Sequence, residues 1–523
     1  MLLHRAAKLS ILAVLATAGP LCVLAAPATA ATAAPSAASA ARGPMVRAVV
    51  SVHNAADLPL QVPGGHVVEV MRAVGAEVVT APESSYAALA RDPRVEGIAP
   101  DARGRVTRVT DARSRFRHRS GSTRSDVLAA EAVGGDAGKP GTGAGVTVAL
   151  LDTGVSNTPA LNRASGRLID GVDVSQLDSG GPALTSGHFT DGYGHGTVMA
   201  SLIAGGVVPG SGSRALGIAP AATVVVVKVA GDDGSTSLSE VLAGLDWVAV
   251  HAKNIQVVNL SLAMQRPTGP WYGADPLTAG VEHVRAAGVL VVASAGNSPS
   301  DVGDPGDDAQ ALTVGSADVD GETPTVSTFS GRGVVDGVVK PDVVAPGQHI
   351  LGEVPANSVI ARENPSAATS DGLFVGSGTS EATAVATGVA AAYLSEHPGS
   401  TPEQVKAGLR TAAQPLCTWG SGAGLVSTSG DSDAECSGRN ASGVDVSADP
   451  SGEASFNAAR WAAHSWLGGA WVAWLASSWS ASSWSASSWS ASSWSASSWS
   501  ASSWSASSWS ASSWSDESWG SGG

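Results

Sequence analysis

The chain has 523 residues, with 30 Lys and Arg against 45 Asp and Glu and a formal net charge of −15. This length allows two to four domains of about 100–200 residues with a large buried core, and it excludes a small disulfide-stapled scaffold. A charged fraction of only 14% with an acidic balance excludes a basic, phosphate-binding surface as the organising principle, so no nucleic-acid partner is expected. The composition is uneven, because thirteen of the 16 Trp lie between Trp461 and Trp519.

Residues 1–30 carry His4, Arg5 and Lys8, then an apolar run from Leu9 to Ala26, then Ala28-Thr29-Ala30, which has the small-x-small form of a signal-peptidase site. Gly19 and Pro20 interrupt the run, which falls short of the ~20 clean apolar residues of a spanning helix. Export with cleavage after about Ala30 is the expectation, giving a secreted, extracellular protein. Cys22 leaves with that signal, so Cys417 and Cys436 remain as an even pair in an oxidising compartment, and a disulfide is favoured over two free thiols.

Residues 31–102 are expected to form a small α+β domain. Its elements are a strand Val46–Val52, a helix-like stretch around His66–Val74, a strand Glu77–Thr80, a helix Ser84–Arg91 and a strand Val95–Ile98. Residues 103–124, RGRVTRVTDARSRFRHRSGSTR, are Arg-rich and poor in core residues, the character of an exposed linker open to proteases. Residues 31–124 carry +5 and residues 125–523 carry −22, so a cleavable cationic segment would be attracted to its acidic body.

Residues 125–426 are expected to form the main body. Val146–Leu151, Val224–Val229, Val257–Leu262, Val289–Ala293 and Leu312–Gly315 are near-continuous aliphatic runs, the form strands take in a parallel sheet covered on both faces. Helical stretches Thr197–Ala204, Leu238–His251 and Leu277–Ala287 lie between them. An α/β layered fold is implied, with a mostly parallel central sheet flanked by helices, and its functional groups belong where strands end and helices begin. Thr401-Pro402-Glu403-Gln404 reads as a helix start, and GAGLV (422–426) ends the body.

The chemically distinctive residues fall at those junctions. Asp152 comes directly after the strand VTVALL, and His195 opens a helix in GHGTVMASLIAG with glycines on either side. Ser380 stands in GSGTSEATA ahead of the apolar stretch ATAVATGVAAAYL, so its hydroxyl is presented at a helix N-terminus, where the dipole and free N–H groups favour developing negative charge. The Ser380 N–H supplies one oxyanion donor, and the Asn297 side-chain amide, in SAGN after VLVVA, a second. A hydroxyl nucleophile at neutral pH needs an adjacent base and a third group holding that base in the right tautomer, and Ser380, His195 and Asp152 supply those roles. His188, His251 and His283 lack this glycine-framed setting and read as surface or packing residues.

LDTG, GHGTVMA, SAGN and GTSEA resemble the signature blocks of the subtilisin-like serine peptidases, and the chain order Asp, His, Ser is that of subtilisin. The likeness covers about residues 145–425, including FSGRG (329–333) and KPDVVAPG (340–347). It implies a secreted serine endopeptidase acting on protein or peptide substrates. It also implies that the preceding domain is an intramolecular inhibitor and folding helper, and that substrate pairs main chain to main chain beside Ser261, Leu262 and Ala263.

This chain departs from the family pattern in having Glu381 where Met is common after the nucleophile, and Ala384 where Pro is usual. A carboxylate there opposes oxyanion formation and stabilises the protonated imidazole, which raises the pH optimum. Ser261-Leu262-Ala263-Met264 replaces the more usual S-L-G-G. Calcium is often bound in the resembled family, and Asp301, Asp304, Asp307 and Asp308 form an acidic loop. That loop lacks alternating oxygen-ligand spacing and reads more as a solvated turn than as a site, so calcium stays an unsupported alternative, no metal site is assigned and no cofactor is required.

Residues 427–460 form a polar linker, and residues 461–523 a low-complexity tail in which Trp recurs at every fifth position from Trp474 to Trp519. Five matches neither helix nor strand period, so no Trp stripe forms on either. Rings acting singly on one tether suit attachment to a cell-wall glycan or insoluble polymer, with a plain spacer as the alternative. The rival to an enzyme is an inactive peptidase-like scaffold that binds surfaces through this tail, and a dead copy should lack at least one of Asp152, His195, Asn297 and Ser380.

Overall fold

The computed structural model describes residues 43–106, 129–133, 141–208, 215–264, 272–321, 323–335, 337–370, 372–416 and 418–428. The signal segment, most of the Arg-rich linker, Cys417 and Cys436, and the Trp tail lie outside the described residues.

The N-terminal layer is an antiparallel sheet. β1 (Met45–Val52) is central, flanked by β3 (Ala76–Pro82) and β4 (Val95–Pro100), with β2 (His66–Met71) on the outer side of β3. The helix-like stretch expected at His66–Val74 is therefore a strand followed by a turn. Val67, Val68 and Val70 are β-branched, and an irregularity between Val67 and Glu69 breaks the two-residue alternation that marks a strand in sequence. Helix α1 (Glu83–Leu89) covers one face of the sheet, packing Tyr86 and Leu89 against Val50, Val79 and Ala81.

The body is an eight-stranded sheet. β7 (Leu168–Asp173), β8 (Thr223–Lys228), β6 (Thr147–Asp152), β10 (Val257–Leu260), β12 (Leu290–Ser294), β13 (Leu312–Asp318) and β17 (Val343–Pro346) run parallel in that order. The short β14 (Thr325–Val326) pairs antiparallel with the end of β13, and β15 (Gly333–Val335) pairs antiparallel with β16 (Val338–Lys340) outside the sheet. The expected strands are all present within one to three residues of their predicted ends, and β7 is an addition that Gly171 had disguised.

Alternate residues of each strand serve opposite faces. Val148 and Leu150 join a core shared with α2 (His195–Ala204), α5 (Thr379–Glu396) and α6 (Pro402–Ala412). Ala149 and Leu151 point into a second core with α3 (Leu238–Val250) and α4 (Pro276–Ala286). Both sheet faces are covered, which is why the strands read as unbroken aliphatic runs. The helix start expected at Thr401–Gln404 is present, and there Thr401 caps α6 through a reciprocal box with Gln404.

The second core also includes Val49, Met71, Val74, Ala76, Val78 and Ala99 from the N-terminal layer. That sheet is thus sandwiched between α1 and the α3/α4 face of the body. Polar contacts fix its position: Asp101 accepts from the Ser239 N–H (2.9 Å) and hydroxyl (2.8 Å) in the first turn of α3 and pairs with Arg47 at 2.6 Å. Asp246 of α3 accepts the Ala73 and Val74 N–H groups at 2.6 and 3.2 Å. A two-residue strand of the body, β11 (Tyr272–Gly273), extends the N-terminal sheet by pairing with β4.

After β4 the chain continues along the body as β5 (Arg103–Arg105), antiparallel to β9 (Ser235–Ser237). The Val106 N–H donates to Gly234 O at 2.9 Å, and the Val106 side chain is fully buried among Tyr193, Ala230, Ile360 and Phe374. A Cβ placed on Gly104 would stand 3.3 Å from the end of Met264, which puts this segment beside residues 261–264.

Candidate active site

Asp152 is the last residue of β6, and His195 is the first of α2. The turn that leaves β6 packs so closely on α2 that a Cβ on Gly196 would stand 2.1 Å from the Gly154 carbonyl oxygen, so no larger residue fits there without moving the backbone. This approach brings His195 Nδ1 to 2.8 and 2.9 Å from the two oxygens of Asp152, with both side chains buried. The Thr153 N–H donates to Asp152 Oδ1 at 2.7 Å, which orients the carboxylate from the other side.

Asp191, which no sequence motif singles out, holds the assembly from below. It is buried and accepts four hydrogen bonds: Oδ1 from the Gly194 N–H (2.6 Å) and the Thr153 hydroxyl (2.8 Å), Oδ2 from the N–H and hydroxyl of Thr197 (both 2.8 Å). Gly194 cannot cap α2 with a side chain, and Asp191 performs that task from three residues upstream. Burial pushes the Asp191 carboxyl up to about 6 despite the N–H groups of Gly194 and Thr197, and the Asp152 charge adds to the rise.

For His195, burial pulls the imidazole down. The Asp152 carboxylate, through its charge and its hydrogen bond, then Glu381 and Asp191, outweigh that pull and leave it above the usual histidine range.

Ser380 is buried in the first turn of α5, which packs against α2. Its hydroxyl donates to the Ser261 carbonyl at 2.9 Å, and the Ser261 hydroxyl returns a bond to the Ser380 carbonyl at 3.0 Å. The buried His195 Nε2 makes no hydrogen bond, so the hydroxyl and the imidazole are not directly bonded in this arrangement. Catalytic hydrogen bonds are often unformed in the absence of substrate.

Asn297 accepts the Thr379 N–H (2.9 Å) and hydroxyl (3.0 Å) on Oδ1. Because the N–H is only a donor, the atom facing it is the amide oxygen, and Nδ2 is left on the Gly378 side, 3.7 Å from a Cβ built there. Glu381 is fully buried one residue beyond Ser380. Burial raises its carboxyl, the nearby His195 opposes that rise, and its Oε1 makes no hydrogen bond.

Of the predicted substrate-pairing residues, Ser261 and Leu262 are buried, and β10 ends at Leu260, two residues short of its expected end. Ala263 is half-buried and, with Met264, Gly296, Asn297, Val302 and Val335, lines a cavity of about 580 Å³. Asp301, Asp304 and Asp307 lie on the same cavity wall, and because Asp304, Asp307 and Asp308 are buried the loop is not the solvated turn that its composition suggests. Asp308 is turned away, accepting the Gln310 and Ala311 N–H groups. Among the described residues, no three of these loop carboxylates converge as cation ligands.

The sequence model of the subtilase family matches residues 143–443. Serine protease AprX of Bacillus subtilis is 34% identical over 278 residues, covering 51% of this chain and 60% of the relative, so the chain spans about 60% of that protein's length. Subtilisin BL of Lederbergia lenta is 32% identical over 277 residues, 53% of this chain and 86% of its own. Among solved structures, fervidolysin from Fervidobacterium pennivorans, described as a keratinolytic enzyme related to subtilisin, superposes with a TM-score of 0.56 at 24% identity. The overlap covers 74% of this chain and 61% of that one, a likeness of fold. Together with the sheet order and the paired Asp152 and His195, these matches place the chain in the subtilase family.

Proposed function

We propose that the protein is a secreted serine endopeptidase that cleaves peptide bonds through Ser380, His195 and Asp152. The buried Asp152–His195 pair at the start of α2, next to the Ser380-bearing turn of α5, carries this reading. On binding substrate, the Ser380 hydroxyl turns from the Ser261 carbonyl to His195 Nε2, which takes its proton as Oγ attacks the scissile carbonyl. The Ser380 N–H and Asn297 Nδ2 hold the resulting oxyanion, and Thr379 fixes the amide that does so. His195 then returns the proton to the leaving amine, and water releases the acyl group by the same route. The cavity beside Ala263 and Asn297 receives a substrate side chain.

The segment through Val106 acts as an internal inhibitor in this reading. It lies antiparallel on β9 beside Met264 and buries Val106 among Tyr193 and Phe374, occupying the surface that an extended substrate would use. The Trp tail serves attachment to cell-wall glycan, which retention of the full chain, but not of a chain ending at residue 460, on peptidoglycan tests.

Labelling with a fluorophosphonate tests the chemistry. The adduct is expected on Ser380, lost in Ser380→Ala and strongly slowed in His195→Ala. An absence of both labelling and hydrolysis of a denatured protein by the processed enzyme overturns the proposal.

A further inference from the structure

We infer that Asp318, Asp320 and His349 form a binding site for one divalent transition-metal ion of the zinc type, separate from the catalytic residues. Asp318 ends β13, Asp320 comes two residues later, and His349 stands three residues beyond β17, just before β18 (Ile350–Gly352). The parallel pairing of β13 with β17, Ala317 opposite Pro346, brings these residues to one edge of the sheet although about thirty positions separate them. One nitrogen and two carboxylate oxygens from them lie within 4.8 Å of one another.

The imidazole makes this more than a pair of acids. The His349 side chain is 6% exposed, and its Nδ1 lies 2.9 Å from Asp320 Oδ2. Nδ1 nevertheless makes no hydrogen bond, so the ring does not aim an N–H at that oxygen. A nitrogen and an oxygen at this separation, aligned with neither as donor to the other, are placed as neighbouring ligands of a common cation. Ligands at about 2.0–2.2 Å from one ion stand about 3 Å apart at right angles and about 3.4 Å apart in a tetrahedron, so the pair need open by only about 0.5 Å to seat a four-coordinate ion.

The surrounding bonds orient the set as outer partners do in metal centres. Gln348 Nε2 donates to Asp318 Oδ2 at 2.6 Å, and the Asp320 N–H donates to Asp318 Oδ1 at 3.1 Å, each leaving a lone pair on its oxygen. One imidazole with two carboxylates suits zinc or a similar first-row ion, with water completing a four-coordinate sphere. Calcium, which takes six to eight oxygens, is poorly matched by a nitrogen-containing trio.

The site is mechanically joined to the nucleophile turn. The His349 N–H donates to Ser377 Oγ at 3.0 Å, and the Gly378 N–H donates to Gly347 O at 2.8 Å. An ion held here fastens the end of β13 to the loop that supports residues 377–378, and its binding energy adds to the stability of that region.

The test uses the full chain carrying Ser380→Ala, which prevents self-digestion, after removal of metals with a chelator. Titration with Co²⁺ should give one equivalent with visible d–d absorption, displaced by Zn²⁺. Saturating Zn²⁺ should raise Tm by about 5 °C, and Ca²⁺ should do neither. His349→Ala should weaken Co²⁺ affinity at least tenfold, and the near-isosteric Asp320→Asn, which preserves the local packing, should do the same. Stoichiometry and affinity unchanged by either substitution, no binding at all, or a preference for Ca²⁺ overturns the proposal.

Discussion

Glu77 gives the N-terminal sheet a stability that falls as pH rises. It sits on β3 between Val50 of β1 and Val70 of β2, fully buried, with both carboxylate oxygens 3.2 Å from the Leu60 N–H. Burial pushes its carboxyl from 4.5 up to about 7, against the pull of the Leu60 N–H and the Arg72 charge. Below pH 4.5 the group is neutral in both folded and unfolded states and the sheet has its full stability. Between 4.5 and 7 the unfolded segment releases the proton while the folded one retains it, and stability falls. Above 7 the loss is complete at about 3 kcal/mol. Amide hydrogen exchange in β1 and β3, corrected for intrinsic rates and measured on the Ser380→Ala chain, reads this as opening about a hundredfold more frequent at about pH 8 than at about pH 5. Glu77→Gln keeps the acceptor for Leu60 without the charge and should flatten that dependence. The same pH slope in both proteins refutes the reasoning.

Three other outcomes concern the site and the core. Asp152→Asn removes the carboxylate that holds the His195 tautomer, and kcat for peptide hydrolysis should fall about 10⁴-fold with KM little changed. Glu381→Gln removes one of the charges that raise the imidazole, so the acid limb of the kcat/KM profile should move to lower pH, and superimposable limbs contradict the assignment. Lys340 is fully buried, donating to Ala311 O, Thr313 Oγ1 and Asp342 Oδ2 at 3.1, 2.8 and 2.9 Å. Lys340→Met leaves Asp342 to Lys406 and Arg410 and should cost about 3 kcal/mol in denaturant unfolding.

The parallel sheet is readable in the sequence because burial on both faces writes itself as aliphatic runs, and Asp152, His195 and Ser380 are readable because close packing demands glycines around them. What is hidden has equally physical causes. β2 reads as helix-like because a register irregularity spoils its alternation and because an edge strand buries little. Asp191 is silent because its partners are mostly backbone N–H groups and neighbouring hydroxyls, which no motif records; its only trace is an acid three residues ahead of a glycine at a helix start. Asp318, Asp320 and His349 meet through strand pairing, which sequence spacing does not express, whereas the acids at residues 301–308 are conspicuous because they crowd one short loop. The Ser380 hydroxyl bonded to Ser261 is a rotamer, a level of detail beyond any pattern.

If Val106 and the N-terminal sheet inhibit as proposed, the way they rest on the body sets how that inhibition would end. While the chain is continuous, the sheet and its landing surface meet at an effective concentration that the tether sets, on the order of millimolar for a short flexible one, whatever the amount of protein present. A single nick beyond Val106 turns the same contacts into an encounter between two molecules. Reassociation then slows with every step of dilution, so on the proposed inhibitory role activity would appear first in cut molecules that diffuse away from their neighbours and last in a crowded compartment.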